Sequence, residues 1–162
     1  MDARLTARLK LAANTGWQHT LLALVAHSGD SWFMIPAMMI VWLAGDNMWK
    51  WRMLVMFLAM CITGFTAVLL KRLIGRRRPE GEWGLVYRST DPHSFPSGHA
   101  ARLFTLAVLS IHLGSAGLLA GMLVWAILVA YARIAMGVHY ISDVLGGILY
   151  GSLLGGVWLL FL

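Results

Sequence analysis

An all-α, polytopic transmembrane helical bundle is the fold class this chain predicts. Three observations lead there. Of its 162 residues 59% are hydrophobic and 12% charged, the mean hydropathy is +0.72, and apolar stretches recur through most of the length. A soluble domain carries about 25% charged residues, so an ordinary water-soluble enzyme is excluded and no separate soluble lobe has room to fold. The expected organisation is a single integral membrane domain over 1–162. It comprises an N-terminal helical region (1–28), five spans and a polar loop at 71–96.

Residues 3–13 set Arg4, Arg8 and Lys10 against Leu5, Leu9, Ala12 and Ala13, the spacing of an amphipathic helix at a membrane surface. The start MDARLTARLKLAANTG lacks the apolar core of a signal peptide, so insertion is expected to use the spans themselves. WQHTLLALVA (17–26) is apolar but too short to cross alone. It is expected to be half-buried, or to complete a tilted span.

SWFMIPAMMIVWLAG (31–45) reads as a short first span, bounded by Asp30 and Asp46. MLVMFLAMCITGFTAVLL (53–70) carries no charge and spans about 27 Å as a helix. The chain is apolar again from Ser97 to Ala132, too long for one crossing, and HLGSAG (112–117) supplies the turn between two antiparallel helices. The last span runs from Tyr140 to the C-terminus, with Gly147, Gly151 and Gly155 recurring every four residues. Such glycines let helices approach closely, within the bundle rather than across a dimer seam. Cys61, the single cysteine, lies inside a span and forms no intramolecular disulfide.

Ionisable groups in or beside spans are costly and point to function. Here they form three clusters: Lys71 with Arg78-Pro79, then HSFPSGH (93–99), then RIAMGVHYISD (133–143). Antiparallel spans put all three on one membrane face and Lys50 and Arg52 on the other. Pro79 fixes its backbone and holds Arg78 in a turn, whereas Arg76 and Arg77 are expected to face lipid head groups. Pro96-Ser97-Gly98 reads as a helix start, with Ser97 able to cap. A helix N-terminus favours anions, and Gly98 allows close approach to the backbone. His99 places a proton donor beside that site. His139 and Asp143 are four apart on one helix face, so Asp143 can accept one imidazole proton and leave the other nitrogen as a nucleophile.

A zinc site built from two histidines and an aspartate is the rival reading. Three nearby cations would repel the metal, and the carboxylates of a paired-metal site are missing. The net charge of +6 could suggest nucleic acid, but in a multi-span chain anionic lipid or a phosphorylated substrate is the better partner.

Taken together, K-x6-RP (71–79), PSGH (96–99) and R-x5-H-x3-D (133–143) resemble the three-part signature of the type 2 phosphatidic acid phosphatase family, the lipid phosphate phosphatases. One departure is visible: the third motif commonly begins Ser-Arg, and here it is Ala132-Arg133, which removes a hydroxyl that would help hold phosphate. The resemblance implies a membrane enzyme that hydrolyses a lipid phosphate or diphosphate without a metal or other cofactor. His139 would be the nucleophile forming a phosphohistidine, Asp143 would orient it, and His99 would be the general acid. Lys71, Arg78, Ser97, Gly98 and Arg133 would bind the phosphate. The substrate classes it implies are polyprenyl diphosphate, phosphatidylglycerophosphate, phosphatidate and lipid A phosphates.

Selectivity is expected from residues 80–95 and the N-terminal helix, with Glu82, Trp83, Tyr87, Arg88 and His93 as candidates. His19, His27 and His112 are read as structural. With the basic loop explained by catalysis, Lys50 and Arg52 become the cytoplasmic markers. The expected location is then a bacterial inner membrane, with the active site on the extracytoplasmic face. Two competing functions are a catalytically silent protein that binds or transports lipid phosphates, and a haloperoxidase using a similar pocket for vanadate. The intact His99, His139 and Asp143 argue against the first, and the apolar surface argues against the second.

Overall fold

A computed structural model describes residues 2–10, 16–80 and 91–160 of the chain. Among these residues the structure is helical, apart from an isolated antiparallel bridge between Arg77 and His93. A short helix α1 (Asp2–Leu9) precedes α2 (Trp17–Ser28), α3 (Ser31–Ala44) and the long α4 (Asn47–Ile74). After the loop come α5 (Gly98–Leu109), a 3-10 turn (Ser110–Leu113), α6 (Ala116–Ala135) and α7 (Ile141–Leu159).

The expected count of five spans is not confirmed. By length and apolarity three helices can cross a membrane, α4, α6 and α7, or four crossings if α2 and α3 count as one span bent by 56°. The reason is length. Segment 31–44 gives only 14 helical residues, about 21 Å at the helical rise, and it continues the preceding helix through a break at Gly29-Asp30. Segment 98–113 is likewise a shorter apolar helix, with most of its α5 side chains buried among its neighbours. By contrast α4 outruns the apolar stretch that predicts it. Asp46 caps its start by accepting from the Trp49 N–H (2.9 Å), and Gly75 ends it in the left-handed region (φ 64°), which glycine adopts without a steric penalty.

The turn expected at 112–117 is present: Gly114 has φ 73° and Ser115 caps α6 through the Leu118 N–H. The glycine row of α7 packs inside the bundle. A Cβ on Gly147 would lie 2.5 Å from the Ser97 carbonyl oxygen, and one on Gly151 only 2.0 Å from that of Ala101. α7 is thereby pressed flush on α5. Thr105 fastens the contact by donating to the Gly151 carbonyl (2.9 Å) and meeting Thr63 of α4 at 3.2 Å.

Charged residues divide between the two ends as the sequence predicts. Lys50 stacks over Trp42 and Arg52 over Trp49 at the start of α4, the aromatic and basic pattern of a membrane interface. Lys71, Arg78, His99, Arg133 and His139 gather at the other end. An apolar cavity of about 730 Å3, lined by residues such as Met38, Trp49, Met53 and Trp125, lies toward the Lys50 end and contains none of them.

Candidate active site

The first cluster is built where α4 stops. Lys71 occupies its last turn, buried, and the left-handed Gly75 turns the chain so that Arg76, Arg77 and Arg78 diverge. Arg78 is buried and uses every side of its guanidinium. Nε donates to the Asp91 carbonyl (2.7 Å), Nη2 to Asp91 Oδ2 (2.7 Å), and Nη1 to the Val138 carbonyl (3.1 Å) and His139 Nε2 (3.2 Å).

That last contact fixes the imidazole. Arginine only donates, so Nε2 of His139 must carry the lone pair and Nδ1 the proton. Nδ1 faces Asp143 Oδ2 at 3.6 Å, longer than a hydrogen bond. The expected shared helix face does not form, because His139 lies in the link before α7 while Asp143 is in its first turn. The two are juxtaposed with no hydrogen bond closed. His139 is fully buried beside Arg78, Arg133 and Lys71. Burial first, and those cations second, hold its pKa well below the usual histidine value.

Asp143 is instead clamped by other groups. The Tyr140 N–H donates to Oδ2 (2.8 Å) and Arg76 Nη1 to Oδ1 (2.7 Å). Arg76 also binds Asp2 of α1 at 2.6 Å and lies 4.3 Å over the Tyr140 ring. The sequence reading that left Arg76 to lipid head groups is corrected: it joins the N-terminal helix to the candidate catalytic aspartate. Thr6 of α1 reinforces that docking by accepting from the Ile141 N–H (3.2 Å).

The second cluster opens α5. Ser97 sits at the N-cap with extended backbone, but its hydroxyl makes no capping bond. That Oγ is buried with no hydrogen-bond partner, a costly state unless a ligand supplies one. The capping expected of Ser97 is thus overturned, and the hydroxyl is left unpartnered at the start of α5. Its backbone N–H is committed to the Asp143 carbonyl (2.9 Å), which locks the start of α5 to the first turn of α7. A Cβ on Gly98 would meet nothing within 4 Å, so this glycine leaves open space above the helix N-terminus.

The third cluster closes through the α6–α7 link. Arg133 is 1% exposed, and its carbonyl accepts from the backbone N–H groups of Val138 (3.1 Å) and His139 (3.3 Å). Gly137, at φ 67°, makes that turn possible.

Three acidic residues escaped the sequence reading. The carboxylate of Asp91 bonds both Lys71 and Arg78. Burial alone would push its pKa up, but those two cations outweigh it and hold the carboxyl below the usual carboxylate range. Asp30 pairs with His99 at 2.5 Å and with His27 at 2.8 Å, so His27, read as structural, belongs to a charged network. Asp2 is the third. Only proximity in the fold identifies their partners. A signal was available for Asp91, an acid beside Pro92 in a loop that carries several basic residues. Of the loop candidates, His93 bridges to Arg77, while Glu82, Trp83, Tyr87 and Arg88 lie outside the described residues. Among the described residues no group of three or more His, Cys, Asp or Glu side chains is arranged to hold a metal ion.

The outer wall is formed by α1. A cavity of about 740 Å3 lies between it and the loops, lined by Thr6, Lys10, Arg77, Arg78, Pro92 and Tyr140 among others. It opens onto Arg78, so a head group entering there would reach the buried cations.

The comparisons with known proteins agree with this architecture. The family model of the PAP2 superfamily matches residues 52–162. Phosphatidylglycerophosphatase B of Bacillus subtilis is 34% identical over 152 residues, covering 85% of this chain and 72% of that protein. The putative undecaprenyl-diphosphatase YbjG of Escherichia coli is 31% identical over 144 residues, covering 85% and 70%. The crystal structure of a transmembrane PAP2-type phosphatidylglycerolphosphate phosphatase from Bacillus subtilis superposes with a TM-score of 0.80 at 26% identity, covering 99% of this chain and 83% of that one.

Proposed function

The chain belongs to the PAP2 superfamily, and from that premise we propose that it hydrolyses a membrane lipid phosphate or diphosphate through a phosphohistidine on His139, without a metal. The observation that carries the reading is the lone pair of His139 Nε2, held 3.2 Å from Arg78 Nη1 in a pocket of buried cations. Those cations already hold a carboxylate, that of Asp91. A phosphoryl group is the diffusible anion such a pocket suits.

In the first step His139 Nε2 forms a bond to phosphorus while the bond to the leaving oxygen breaks. The proton on His99 goes to that oxygen. Lys71, Arg78 and Arg133, with the Ser97 hydroxyl and the N-terminus of α5 at Gly98, hold the equatorial oxygens as charge develops. In the second step water attacks phosphorus, the P–N electrons return to His139, and the water proton passes to His99. Asp143 orients His139 and stabilises its charged form. Uncatalysed phosphate monoester hydrolysis is slow enough to require barrier reductions of roughly 20 kcal/mol or more, and fixed cations combined with covalent catalysis are suited to that scale.

The substrate classes are those acted on by the relatives, phosphatidylglycerophosphate and undecaprenyl diphosphate by name, with phosphatidate and lipid A phosphates as further members. The head group enters through the cavity beside α1. Lys50 and Arg52 face the cytoplasm, which puts the site on the extracytoplasmic face of a bacterial inner membrane, and a C-terminal reporter is expected to be cytoplasmic. The deciding experiment is phosphate release from a panel of lipid phosphates in detergent with EDTA, comparing wild type with His139→Ala. Activity that survives the chelator and vanishes in the variant supports the reading. Loss to EDTA alone would bring the metal reading forward, and a folded wild type that cleaves no lipid in the panel would favour a silent binding protein.

A further inference from the structure

The bent helix pair α2–α3 breaks at Ser28-Gly29-Asp30, beside the first turn of α5. A break at membrane depth is tolerated only where protein buries it, and here consecutive residues are tied inward. Ser28 Oγ accepts from Trp125 Nε1 of α6 (2.9 Å), and Ser31 Oγ accepts from Arg102 of α5. A Cβ on Gly29 would lie 3.1 Å from both Leu103 and Val129 and 3.6 Å from the His99 ring. Between these anchors Asp30 meets Nε2 of His99 at 2.5 Å through Oδ1, and Nδ1 of His27 at 2.8 Å through Oδ2.

We infer that Asp30 is the positioning residue of the proton donor: it holds His99 by Nε2, supplies the counter-charge to its imidazolium, and thereby assigns Nδ1 to the substrate's leaving oxygen. The inference rests on the proposed role of His99 and extends it to a carboxylate 69 positions away in sequence. A charged imidazole has two N–H groups, and Asp30 engages the one on Nε2. When Nδ1 gives its proton to the leaving oxygen, His99 becomes neutral, still bonded to Asp30, and Nδ1 is the lone pair that takes the proton of the attacking water.

The surroundings of His99 explain why a carboxylate is needed. Burial first, then Arg133 from α6 and Arg102 from its own helix, favour the neutral ring and hold its pKa well below the usual histidine value. Asp30, from the break, is the acid opposing them. His27 shares that carboxylate from α2, and holding both oxygens at once leaves Asp30 little freedom to turn. No position in the three motifs encodes this contact, because α2 and α3 precede all of them.

The test is the dependence of rate on the leaving group, in Asp30→Asn, His99→Ala and the double variant. The substrates are a long-chain alkyl phosphate, whose leaving oxygen needs a proton, and p-nitrophenyl phosphate, whose leaving group needs little help. His99→Ala is expected to lose roughly 100-fold or more in kcat on the alkyl ester and far less on the aryl ester. Asp30→Asn should reproduce that selective loss at roughly 10- to 100-fold with KM little changed, and should add nothing in the His99→Ala background. Asp30→Glu, which keeps the carboxylate, should recover part of the alkyl activity, and it serves as the variant if the amide fails to fold. Equal losses on both esters, or full additivity with His99→Ala, would overturn the role of Asp30 while leaving His99 as the acid. No leaving-group effect in His99→Ala would remove the acid itself, and the positioning role with it.

Discussion

Arg78 donates from Nη1 to Nε2 of His139 across 3.2 Å while its other nitrogens hold both the carbonyl and the carboxylate of Asp91. One guanidinium therefore selects the tautomer of the proposed nucleophile and forms part of the wall where phosphate oxygens would lie. In the resting protein the donor rests on the lone pair proposed to attack. Phosphate oxygens entering the pocket offer Arg78 better acceptors, and moving it onto them frees Nε2.

Arg78→Lys keeps the charge and loses the fork. A lysine cannot reach the Val138 carbonyl, Asp91 and His139 together, because it is a point charge without planar donors. The expected cost is about 10²- to 10³-fold in kcat, the scale of losing one preorganised donor. Steady-state kinetics on any cleaved lipid phosphate checks this, and a variant within a factor of a few of wild type would show that charge alone suffices.

The acid side of the pH profile follows from His139. Its pKa is depressed from 6.5 by burial and by Arg78, Arg133 and Lys71. The ring therefore stays neutral, and nucleophilic, as pH falls past 6.5, and it is lost only on protonation further down. His99 is depressed as well, by burial and by Arg133 and Arg102. kcat/KM should therefore hold on its acid side below the ordinary histidine range, and should already be falling, as the proton donor is lost, below the pH at which a free histidine titrates. An acid limb at or above 6.5 would contradict the burial and charge seen at His139.

On the proposed mechanism Asp91 would compete with the substrate. Its carboxylate occupies Lys71 and Arg78, so an entering phosphoryl group has to displace a charge-assisted bond of about 1.5–3 kcal/mol. Asp91→Asn should tighten inhibition by inorganic phosphate by roughly tenfold or more, which a competition assay reads directly. Weaker inhibition in the variant would mean that Asp91 helps to build the site instead of filling it.

The α5–α7 contact has its own test. Gly151→Ala sets a methyl 2.0 Å from the Ala101 carbonyl oxygen, whereas Gly156→Ala meets nothing within 4 Å. Overpacking costs about 1–3 kcal/mol or more, so Gly151→Ala should lower the Tm in detergent and Gly156→Ala should leave it near wild type. Equal melting would show that the two helices can separate without penalty.

How much of this was legible in the sequence depends on the distance between partners. The spacing of Lys71 to Arg78, Pro96 to His99 and Arg133 to Asp143 was readable because each set is local, and antiparallel spans were enough to put the sets on one face. The glycine row of α7 was readable because a four-residue repeat names a helix face. The count of spans was not. Residues 31–45 have the composition of a crossing without its length, and nothing local says whether Gly29-Asp30 breaks one span or separates two segments. Asp30, Asp91 and Arg76 stayed hidden for a related reason. Their partners lie 69, 20 and 67 positions away, and an isolated charge near a span end looks the same whether it faces water or a histidine.

The tight seating of α7 on α5 also decides how the two candidate catalytic histidines move. His99 lies in the first turn of α5, His139 two residues before α7, and the Ser97 N–H to Asp143 carbonyl bond ties the two beginnings together. Thickening or compressing the bilayer is therefore expected to displace proton donor and nucleophile as one body. Lateral stress falls instead on the α2–α3 break and on the mouth beside α1, so a change of host lipid should alter how readily substrate enters while the spacing of the reacting groups is conserved.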